Sequence, residues 1–455
     1  MIKKSVLMIS LVIMGLTLSL SGQENWTYLF NGKNLKGWKQ LNGQAKYEVK
    51  DGTITGSTVL SSPNSFLCTT AFYSDFILEF DVLVDPQLNS GVQIRSHSYK
   101  EYQNGRVHGY QIEIDPSDRG WSAGVYDEAR RAWLYPLGDN PAAQKAFKQN
   151  SWNQYHVEAI GHSIRSWING VPASNLIDDM DSSGFIGLQV HSIGTDPKKA
   201  GIMVQWKNIR IMTKDLAKHT WTMPATVTEI SAISNTLTNQ ELKSGWRLLW
   251  DGKTTEGWRG ADKEAFPSQG WEIKDGMLNV LAGGGAESRN GGDIITVKKY
   301  RDFELTLDFK LTKGANSGIK FYVVEGLNSG TGSAIGLEYQ LLDDENHPDA
   351  KLGVVGNRTI GSLYDLIPAL PEKVVNPVGE WNNARIVAKN NHIEHWLNGK
   401  KVVEFDRGTQ IYRALVQKSK YAAYANFGEA PEGHILLQDH GNRVSFRNIK
   451  IREIK

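Results

Sequence analysis

The sequence has almost no cysteine, since Cys68 is the only one in 455 residues. An internal disulfide is therefore impossible, and a zinc site built on several cysteines is excluded as well. Cys68 ends the apolar run Phe66-Leu67-Cys68, a context typical of a buried packing residue. We expect the folded chain to be stabilised by its core alone.

Net charge is also small, with a formal value of +2 at pH 7. This balance gives no electrostatic reason to expect nucleic acid or an anionic membrane as a partner. Nucleotide-binding glycine fingerprints do not stand out either. Gly283-Gly284-Gly285 follows a strand-like run, but no helical pattern comes after it, so we interpret these glycines as a turn.

The beginning of the chain has the features of a signal peptide. Lys3 and Lys4 precede the apolar run Val6–Leu20, and Ser19-Leu20-Ser21 supplies small residues for a cleavage site. The run is too short for a convincing membrane span. Residues 1–22 are therefore a predicted signal peptide, and the mature protein is expected to be exported, either periplasmic or secreted.

The rest of the sequence contains one unit twice, with its motifs in the same order. A unit of roughly 200 residues occupies 23–212 and again 240–455, and the Thr-, Ser- and Asn-rich stretch 213–239 is interpreted as a linker. We infer a tandem duplication. The matching segments are Tyr47–Gly52 and Trp271–Gly276, Asp75–Asp81 and Asp302–Asp308, Asn89-Ser90-Gly91 and Asn316-Ser317-Gly318, Ser166–Gly170 and His395–Gly399, and Trp206–Ile211 and Phe446–Ile451.

Short alternating runs dominate both units. Phe76–Asp81 alternates apolar and acidic side chains from Leu78 onward, and Asp-Gly, Asn-Gly and Ser-Gly turns separate such runs, as is typical of antiparallel sandwiches. One hairpin is expected to close near Lys389-Asn390-Asn391. A short helix is predicted over Thr238–Lys243, with Glu241 as the capping-box partner of its first residue. The predicted fold is all-β, with two tandem jelly-roll-like sandwiches.

Polar side chains of the kind used in catalysis concentrate in Gly336–Asp365, with an altered copy near Gly109–Asp127. The stretch opens as a strand in which Glu338 and Gln340 share one face, while the intervening apolar residues face the other way. The loop that follows offers oxygen ligands of the kind a hard cation prefers, so a divalent metal ion is a candidate cofactor, with a merely solvated loop as the alternative. The candidate metal ligands are Asp343, Glu345 and His347.

A series of ordered motifs covers nearly all of the second unit. They are Asp251-Gly252-Lys253, Gly257-Trp258, Asn316-Ser317-Gly318, Gly336–Gln340, Ser362–Asp365, Gly379–Asn382, His395–Gly399, Leu437–Gly441 and Phe446–Ile449. Together they resemble the 3-keto-disaccharide hydrolase domain family. The first unit is similar more loosely: it keeps Asn89-Ser90-Gly91 and Val125-Tyr126-Asp127, but has Ser166 where the second unit has His395.

The resemblance implies a concanavalin-like jelly roll and action on glycosides already oxidised to a ketone at sugar carbon 3. Members of the family are often exported by sugar-degrading bacteria. A partner dehydrogenase is implied as well, because the strand-rich pattern lacks the dinucleotide-binding half that making the ketone would need.

The chemistry that such a substrate allows suggests roles for particular residues. A 3-keto group acidifies the hydrogen on C2, so a base can form an enolate that expels the group on C1. The site then needs a base with a pKa near neutrality and a stabiliser of the enolate oxygen, often with a metal. The predicted catalytic residues are His395 and His440 as candidate bases, Glu338 as a ligand of sugar hydroxyls or a cation, and Tyr364 as donor to the leaving oxygen. The predicted substrate-binding residues are Gln340, Gln438, Asn316, Arg95, Glu113, Asp115, Tyr126 and His191.

Two alternatives remain open at this point. Glu113–Asp118 is similar to the Glu-x-Asp-x-x-Glu strand of laminarinase-type glycoside hydrolases, in which case Glu113 and Asp118 would perform direct retaining hydrolysis. The register between the units is also undecided, because Glu338 pairs with Gln111 if the glycines are aligned and with Glu113 if the carboxylates are aligned. A non-catalytic carbohydrate-binding protein is the other alternative, since jelly rolls serve lectins and enzymes alike.

Overall fold

The computed structural model describes residues 25–285, 287–327 and 333–454, so the predicted signal peptide lies outside the described residues. The chain divides into two compact units. The first ends at Met223 and lacks Ser174–Met180, which belong to the second unit together with the chain from Pro224 onward. Each unit is described by itself.

The first unit is a sandwich of two mainly antiparallel sheets. Its strands are β1 (Trp26–Tyr28), β2 (Trp38–Leu41), β3 (Lys46–Lys50), β4 (Thr53–Ser57), β5 (Ser65–Thr69), β6 (Phe76–Val84), β7 (Ser90–His97), β8 (His108–Ile114), β9 (Val125–Glu128), β10 (Ala132–Tyr135), β11 (Asn153–Ile160), β12 (Ser163–Ile168), β13 (Val171–Ile177, which ends in the second unit), β14 (Phe185–Val190) and β15 (Met203–Met212). One sheet has the order β12-β11-β6-β15-β4-β3, with β1 paired to β15, and the other has the order β10-β9-β8-β7-β14-β5-β2. The short helix α1 (Pro141–Gln144) and two 3₁₀ turns (Pro197–Lys199 and Leu216–Lys218) complete the unit.

The second unit repeats this architecture. Its strands are β16 (Ile230–Ser231), β17 (Arg247–Leu248), β18 (Trp258–Gly260), β19 (Trp271–Lys274), β20 (Met277–Val280), β21 (Ile294–Thr296), β22 (Phe303–Leu311), β23 (Asn316–Val324), β24 (Ile335–Leu342), β25 (Trp381–Lys389), β26 (His392–Leu397), β27 (Lys400–Asp406), β28 (His434–Leu437) and β29 (Val444–Glu453). One sheet runs β19-β20-β29-β22-β25-β26-β27, with β17 paired to β29, and the other runs β18-β21-β28-β23-β24. Its helices are α2 (Asn239–Lys243) and α3 (Gln410–Gln417), with 3₁₀ turns at Pro348–Lys351 and Lys420–Ala423.

A core of apolar side chains from both sheets holds the second unit together. Leu305 and Ile386 from one sheet and Ile319, Leu337 and Tyr339 from the other belong to one buried cluster. Because side chains alternate along a strand, the residues between these core positions point to the opposite face of their sheet. That outer face of β23, β24 and β28 is where the polar side chains lie.

The predicted fold class, all-β with two tandem jelly-roll sandwiches, is confirmed. The helix expected after Thr238 is present, with Thr238 and Glu241 forming both hydrogen bonds of a capping box. The expected hairpin closes where β25 meets β26, and Cys68 is buried. Within the described ranges, no helix has the length and hydrophobicity that crossing a bilayer requires.

The units differ most in one connection. In the first unit, β13 and β14 are joined by residues 178–184, whereas the corresponding strands β27 and β28 of the second unit are joined by residues 407–433. This longer connection contains α3, which begins at the N-cap Thr409, and the 3₁₀ turn Lys420–Ala423. Tyr412 of α3 is buried in the core, and its hydroxyl donates to the carbonyl of Phe427. The segment is therefore anchored to the body of its unit.

Candidate functional site

The outer face of β23 and β24 brings a carboxylate, an ammonium group and an amide together. Lys320 lies directly opposite Glu338 in the antiparallel pair, and Gly318 lies opposite Gln340. The backbone N–H of Gln438, just after β28, donates to the carbonyl of Gly318 at 3.0 Å. Directly opposite residues point to the same side of a sheet, so these side chains share one face.

Gly318 lies on this face and has no side chain. A Cβ atom at this position would lie 2.3 Å from Oε1 of Glu338 and 3.0 Å from its Cδ. The Glu338 side chain therefore lies across the glycine backbone. This contact explains why the Asn316-Ser317-Gly318 motif needs a residue without a side chain at its third position.

Glu338 lies in a pocket of about 260 Å³. Its side chain is buried, with 5% of the residue exposed, and the hydroxyl of Tyr421 donates to its Oε2 at 3.3 Å. Burial raises the pKa of Glu338, and the ammonium groups of Lys320 and Lys420 partly oppose that rise. A carboxylate whose pKa is shifted toward neutrality suits general base catalysis. The other lining residues are Glu287, Ser333, Ala334, Ile335, Gly336 and Tyr424.

Lys320 is one of two lysines that line this pocket, together with Lys420. Its ammonium group lies 3.4 Å from Oδ2 of Asp293, which also accepts a hydrogen bond from Ser333. Burial alone would lower the pKa of Lys320, but the carboxylates of Asp293 and Glu338 outweigh burial and hold that pKa above its usual value. The side chain therefore carries a positive charge beside Glu338 over the whole physiological pH range.

Of the residues that line this pocket, only Glu338 was predicted from the sequence, and Lys320, Lys420 and Tyr421 are the functional groups that were missed. Lys320 could have been found, because strand alternation from Gly318 places it on the same face as the glycine. Lys420 and Tyr421 carry no local signal, since the connection 407–433 brings them to Glu338 from far along the chain. Ser419 orients them by accepting the backbone N–H of Tyr421 and so capping their 3₁₀ turn.

Several buried polar atoms near this pocket have no partner within the described part of the chain. They are Oε1 of Gln340, Oε1 of Gln438 and Nδ1 of His440. The other amide atoms are partnered: Gln340 donates to Oδ1 of Asn316 at 3.2 Å, and Gln438 donates to Glu287 at 3.1 Å. Leaving buried polar atoms unpaired costs free energy, so such atoms mark a place where a polar ligand can bind. The predicted residues Gln340, Asn316 and Gln438 thus meet on this polar face, whereas the ring of His440 lies 5.9 Å from that of His347.

Tyr364 is placed beside Glu338 by the backbone. Its N–H donates to the carbonyl of Glu338 at 3.0 Å, and its hydroxyl donates to Oδ2 of Asp349 at 2.8 Å. The ammonium of Lys420 lies 4.3 Å from the centre of the Tyr364 ring. Burial and the bond to Asp349 raise the pKa of Tyr364. Its hydroxyl hydrogen is therefore engaged by Asp349 rather than directed at the pocket.

His395 does not join this site, contrary to the sequence-based expectation. It lies in β26 with no exposed surface, in contact with the rings of Phe321 and Tyr339 on the core face of the sheet. Its Nδ1 hydrogen-bonds the carbonyl of Gly361 at 3.1 Å, and burial lowers its pKa to about 4. Tyr339 and Glu338 are neighbours on opposite faces of β24, so His395 is separated from Glu338 by the sheet itself.

The three candidate metal ligands are not brought together either. Asp343 accepts hydrogen bonds from the backbone of Gly314, Glu345 and Asn346, which uses its carboxylate to hold a turn. Glu345 is exposed, and Nδ1 of His347 accepts the N–H of Asp349 as a helix cap. In the part of the chain that the structure describes, three metal-ligating side chains approach one another closely only at His392, Glu394 and Glu404, which are on the surface.

The first unit resolves the register that the sequence left open. Gly91 pairs with Glu113 and Gln93 pairs with Gln111, exactly as Gly318 pairs with Gln340 and Lys320 with Glu338. The acid and the amide have therefore exchanged places between the units: Gln111 occupies the position of Glu338, and Glu113 that of Gln340.

A polar pocket of about 370 Å³ surrounds Glu113. Asn89 donates to its Oε1 at 2.6 Å and Gln111 to its Oε2 at 2.9 Å, while burial raises the pKa of Glu113 to about 7. The predicted residues Tyr126 and His191 also line this pocket.

Three other predicted residues of the first unit lie elsewhere. Arg95 is buried and donates to the carbonyl of Gly161 and to Asp75, so the expectation that it binds substrate is not supported by its position. Asp115 binds Ser117 and Arg119 and thereby holds the turn after β8. Asp118 is exposed in that turn, and the structure does not pair it with Glu113.

Comparison with known proteins gives two matches in sequence. A model of the family described as the 3-keto-alpha-glucoside-1,2-lyase-like domain matches residues 25–212 and 245–452, which coincide with the two repeats. A curated relative, the 3-keto-disaccharide hydrolase of Bacteroides thetaiotaomicron, is 40% identical over 229 residues, covering 46% of this chain and 78% of the relative.

Solved structures give further similarities. A protein from Parabacteroides distasonis, described as a candidate glycosyl hydrolase, is 32% identical, and the match covers 49% of this chain and 100% of that chain with a TM-score of 0.43. A carbohydrate-binding module from Bacillus subtilis is 16% identical, covering 39% of this chain and 96% of that chain with a TM-score of 0.27.

Proposed function

The chain belongs to the 3-keto-alpha-glucoside-1,2-lyase-like family, and we propose that its second unit cleaves glycosides that carry a ketone at sugar carbon 3. The family resemblance inferred from the sequence is confirmed, and the chain is a glycoside-cleaving hydrolase or lyase. The observation that supports the choice of the second unit is the pairing of Glu338 with Lys320 on one polar sheet face. A carboxylate and an ammonium group supply the two functions that enolate chemistry needs.

Glu338 acts as the general base in this proposal. Its carboxylate takes the proton from C2, and the electron pair of that C–H bond moves into an enolate whose oxygen is on C3. The ammonium group of Lys320 stabilises the charge on that oxygen. When the C3 carbonyl forms again, the C1–O bond breaks and the leaving oxygen takes up the proton from Glu338. Addition of water to the resulting C1–C2 double bond completes a net hydrolysis.

The unpartnered atoms beside this pair hold the sugar ring in the proposal. Oε1 of Gln340 and Oε1 of Gln438 accept hydrogen bonds from ring hydroxyls, and Nδ1 of His440 offers a third contact. Tyr421 donates to Glu338 and so restrains its carboxylate. His395 has no role in this mechanism because it lies in the core.

The cellular setting is part of the proposal. The signal-peptide features of residues 1–22 support an exported protein, either periplasmic or secreted. The described residues of the two units form sandwiches without a dinucleotide-binding fold, which supports a separate dehydrogenase as the supplier of the 3-keto substrate.

The test is release of the aglycone from a 3-keto-glucoside by the wild type, Glu338→Gln, Lys320→Met and a control, Glu432→Gln. Glu432 is an exposed glutamate of the same unit. We expect Glu338→Gln to lower kcat by about 10²- to 10⁴-fold, since it removes a general base. Lys320→Met should also lower kcat, and the control should keep the wild-type rate.

Other outcomes would contradict the proposal in distinct ways. A Glu338→Gln variant with wild-type kcat would exclude Glu338 as the base. Cleavage of the unoxidised glucoside at a comparable rate would favour direct glycoside hydrolysis instead. Saturable binding without turnover by the wild type would favour a carbohydrate-binding protein. A parallel assay with chelator tests whether a metal ion takes part.

A further inference from the structure

The first unit keeps a polar pocket at the place that corresponds to the catalytic pocket, but it lacks the proposed catalytic pair. Gln93 and Gln111 stand where the second unit has Lys320 and Glu338. The two amides bind each other, with Nε2 of Gln93 donating to Oε1 of Gln111 at 2.7 Å. A neutral amide pair can neither remove a carbon-bound proton nor stabilise an enolate by charge.

The carboxylate of Glu113 in this pocket is held as a hydrogen-bond acceptor. Glu113 accepts from the amides of Asn89 and Gln111, one on each carboxylate oxygen, and the guanidinium of Arg119 lies 3.8 Å from Oε1. The connection 178–184 contains no counterpart of α3 and neither lysine nor tyrosine, so it cannot supply the groups that Lys420 and Tyr421 supply in the second unit.

Gln189 shows that the pocket is built for a polar ligand. Its side chain has no exposed surface and lines the pocket, and neither its Oε1 nor its Nε2 has a partner among the described residues. A fully buried amide with one donor and one acceptor unpaired is costly unless a ligand completes it. A sugar hydroxyl can do this, because it donates and accepts at the same time.

Aromatic and charged side chains complete the surroundings. Trp133 and Tyr126 are cross-strand neighbours that line the pocket, with ring centres 5.2 Å apart. Two guanidinium groups lie beside two carboxyl groups of the pocket, Arg106 at 3.4 Å from Glu128 and Arg119 at 3.8 Å from Glu113. Apolar ring surface, paired charges and unpaired amide atoms together suit a neutral polyhydroxylated ligand.

The pocket continues into a second one within the same unit. A neighbouring pocket of about 670 Å³ shares Asn64, Arg106 and Glu128 with the pocket of about 370 Å³ around Glu113. The two together form a groove that is longer than a single sugar ring needs. Phe66 and Asn42 are among the residues that line its far part.

We propose that the first unit is a saccharide-binding domain that holds a neutral disaccharide or longer chain in this groove without cleaving it. The ligand lies against Trp133 and Tyr126 and completes the hydrogen bonds of Gln189. The binding part of this proposal stands on the first unit alone. Its contrast with cleavage rests on the function proposed above for the second unit.

The test is calorimetric titration of the full chain with maltose, cellobiose and trehalose, with glucose as the single-ring comparison. We expect at least one disaccharide to bind tenfold more tightly than glucose. Gln189→Leu should weaken that binding at least tenfold, because it removes both unpaired amide atoms. Gln154→Leu, the matched change at an exposed glutamine of the same unit that lines neither part of the groove, should leave it within twofold.

Each contrary result has a definite meaning. Failure of all three disaccharides to bind at millimolar concentration would overturn the proposal, as would binding by Gln189→Leu that is as tight as binding by Gln154→Leu. Trp133→Ala provides a second variant if Gln189→Leu does not fold, which thermal unfolding would reveal. The Glu338→Gln cleavage assay involves only the second unit, so failure of that assay is distinguishable from failure of this titration.

Discussion

Glu338 is a carboxylate that the fold buries and at the same time supports with cations. Burying an isolated carboxylate is strongly unfavourable, and proteins usually respond by raising its pKa or by placing an opposite charge nearby. Both occur here, because burial raises the pKa of Glu338 while Lys320 and Lys420 partly oppose the rise. The net result is a carboxyl group whose proton affinity is increased, as the proposed role of general base requires.

His395 shows the opposite outcome of burial, since a core histidine is kept neutral. Its pKa is lowered from 6.5 to about 4 by burial. The unfolded chain binds a proton as the pH falls below about 6.5, but the folded chain does so only near pH 4. The stabilising contribution of the neutral histidine is therefore complete above pH 6.5 and is lost as the pH falls from 6.5 to about 4.

We predict that His395→Leu removes this pH dependence. In the wild type, the free energy of unfolding of the second unit should fall by on the order of 3 kcal/mol between pH 7 and pH 4 through this residue. In the variant, the free energy of unfolding should not show this decrease between pH 7 and pH 4. At pH 7 it should be lower than in the wild type by roughly 1–2 kcal/mol, because the hydrogen bond to Gly361 is lost. Urea unfolding at several pH values measures both. A folded variant with strongly reduced kcat would contradict a purely structural role.

At the scale of elements, the pairing of β23 with β24 decides how the proposed catalytic face is built. Alternation sends the apolar side chains of β24 into the core and leaves Glu338 and Gln340 on the other side. Gly318 lets the side chain of Glu338 lie flat across β23, because nothing projects from the glycine. The geometry of the base therefore depends on a position that makes no contact through a side chain of its own.

We predict that Gly318→Ala displaces Glu338 without unfolding the protein. The new methyl group would meet the end of a flexible side chain at 2.3 Å, so the carboxylate must move. Displacement of a catalytic group by about 1 Å can cost 10²-fold in rate, and we expect a loss of kcat/KM of about that size. Steady-state kinetics on a 3-keto-glucoside, with circular dichroism to verify folding, measures it.

Gly138→Ala is the control for this change. Gly138 is exposed, and a Cβ atom there meets nothing within 4 Å. The control should keep the wild-type kcat/KM. Equal kinetics for Gly318→Ala and Gly138→Ala would show that the position of Glu338 over the glycine is unimportant for the reaction.

At the scale of the whole molecule, duplication has produced two pockets that lie on corresponding strand pairs, β7–β8 and β23–β24, but carry different polar groups. The second unit has its carboxylate at Glu338 of β24, whereas the first unit has it at Glu113 of β8, which corresponds to Gln340. The carboxylate is therefore displaced by two residues, which is about 6.8 Å along a strand. Lys320 in one unit and Gln93 in the other complete the divergence. The two proposals of cleavage and of binding follow from this difference.

We predict that the inactive full chain binds two molecules of a 3-keto-disaccharide, one in each unit. Glu338→Gln prevents turnover, so the stoichiometry can be measured by calorimetry. Adding Gln189→Leu should reduce it to one, since only the first groove loses its unpaired amide. A stoichiometry of one for Glu338→Gln alone, unchanged when Gln189→Leu is added, would contradict two separate saccharide pockets.

The sequence predicted much of the fold and a smaller part of the site. Alternation, turn residues and the internal repeat predicted the strands, the tandem sandwiches and the shared face of Glu338 with Gln340. His395 was assigned wrongly because local alternation in β26 does not say which face of that strand meets the other sheet. Lys420 and Tyr421 were missed because their approach to Glu338 depends on how residues 407–433 fold back.

By itself, the sequence determined what local periodicity and repetition can encode: two similar all-β units, their family, and the polar alternation of β24. Only the tertiary structure decided which strand faces became core, which positions of the two repeats correspond, and which distant side chains meet. The physical reason is that the period of a strand depends on its own backbone, whereas burial and charge pairing depend on what packs against it. Glu338 and His395 both lie on strands, and only packing placed one beside a lysine, where we propose that it acts as a base, and made the other a neutral part of the core.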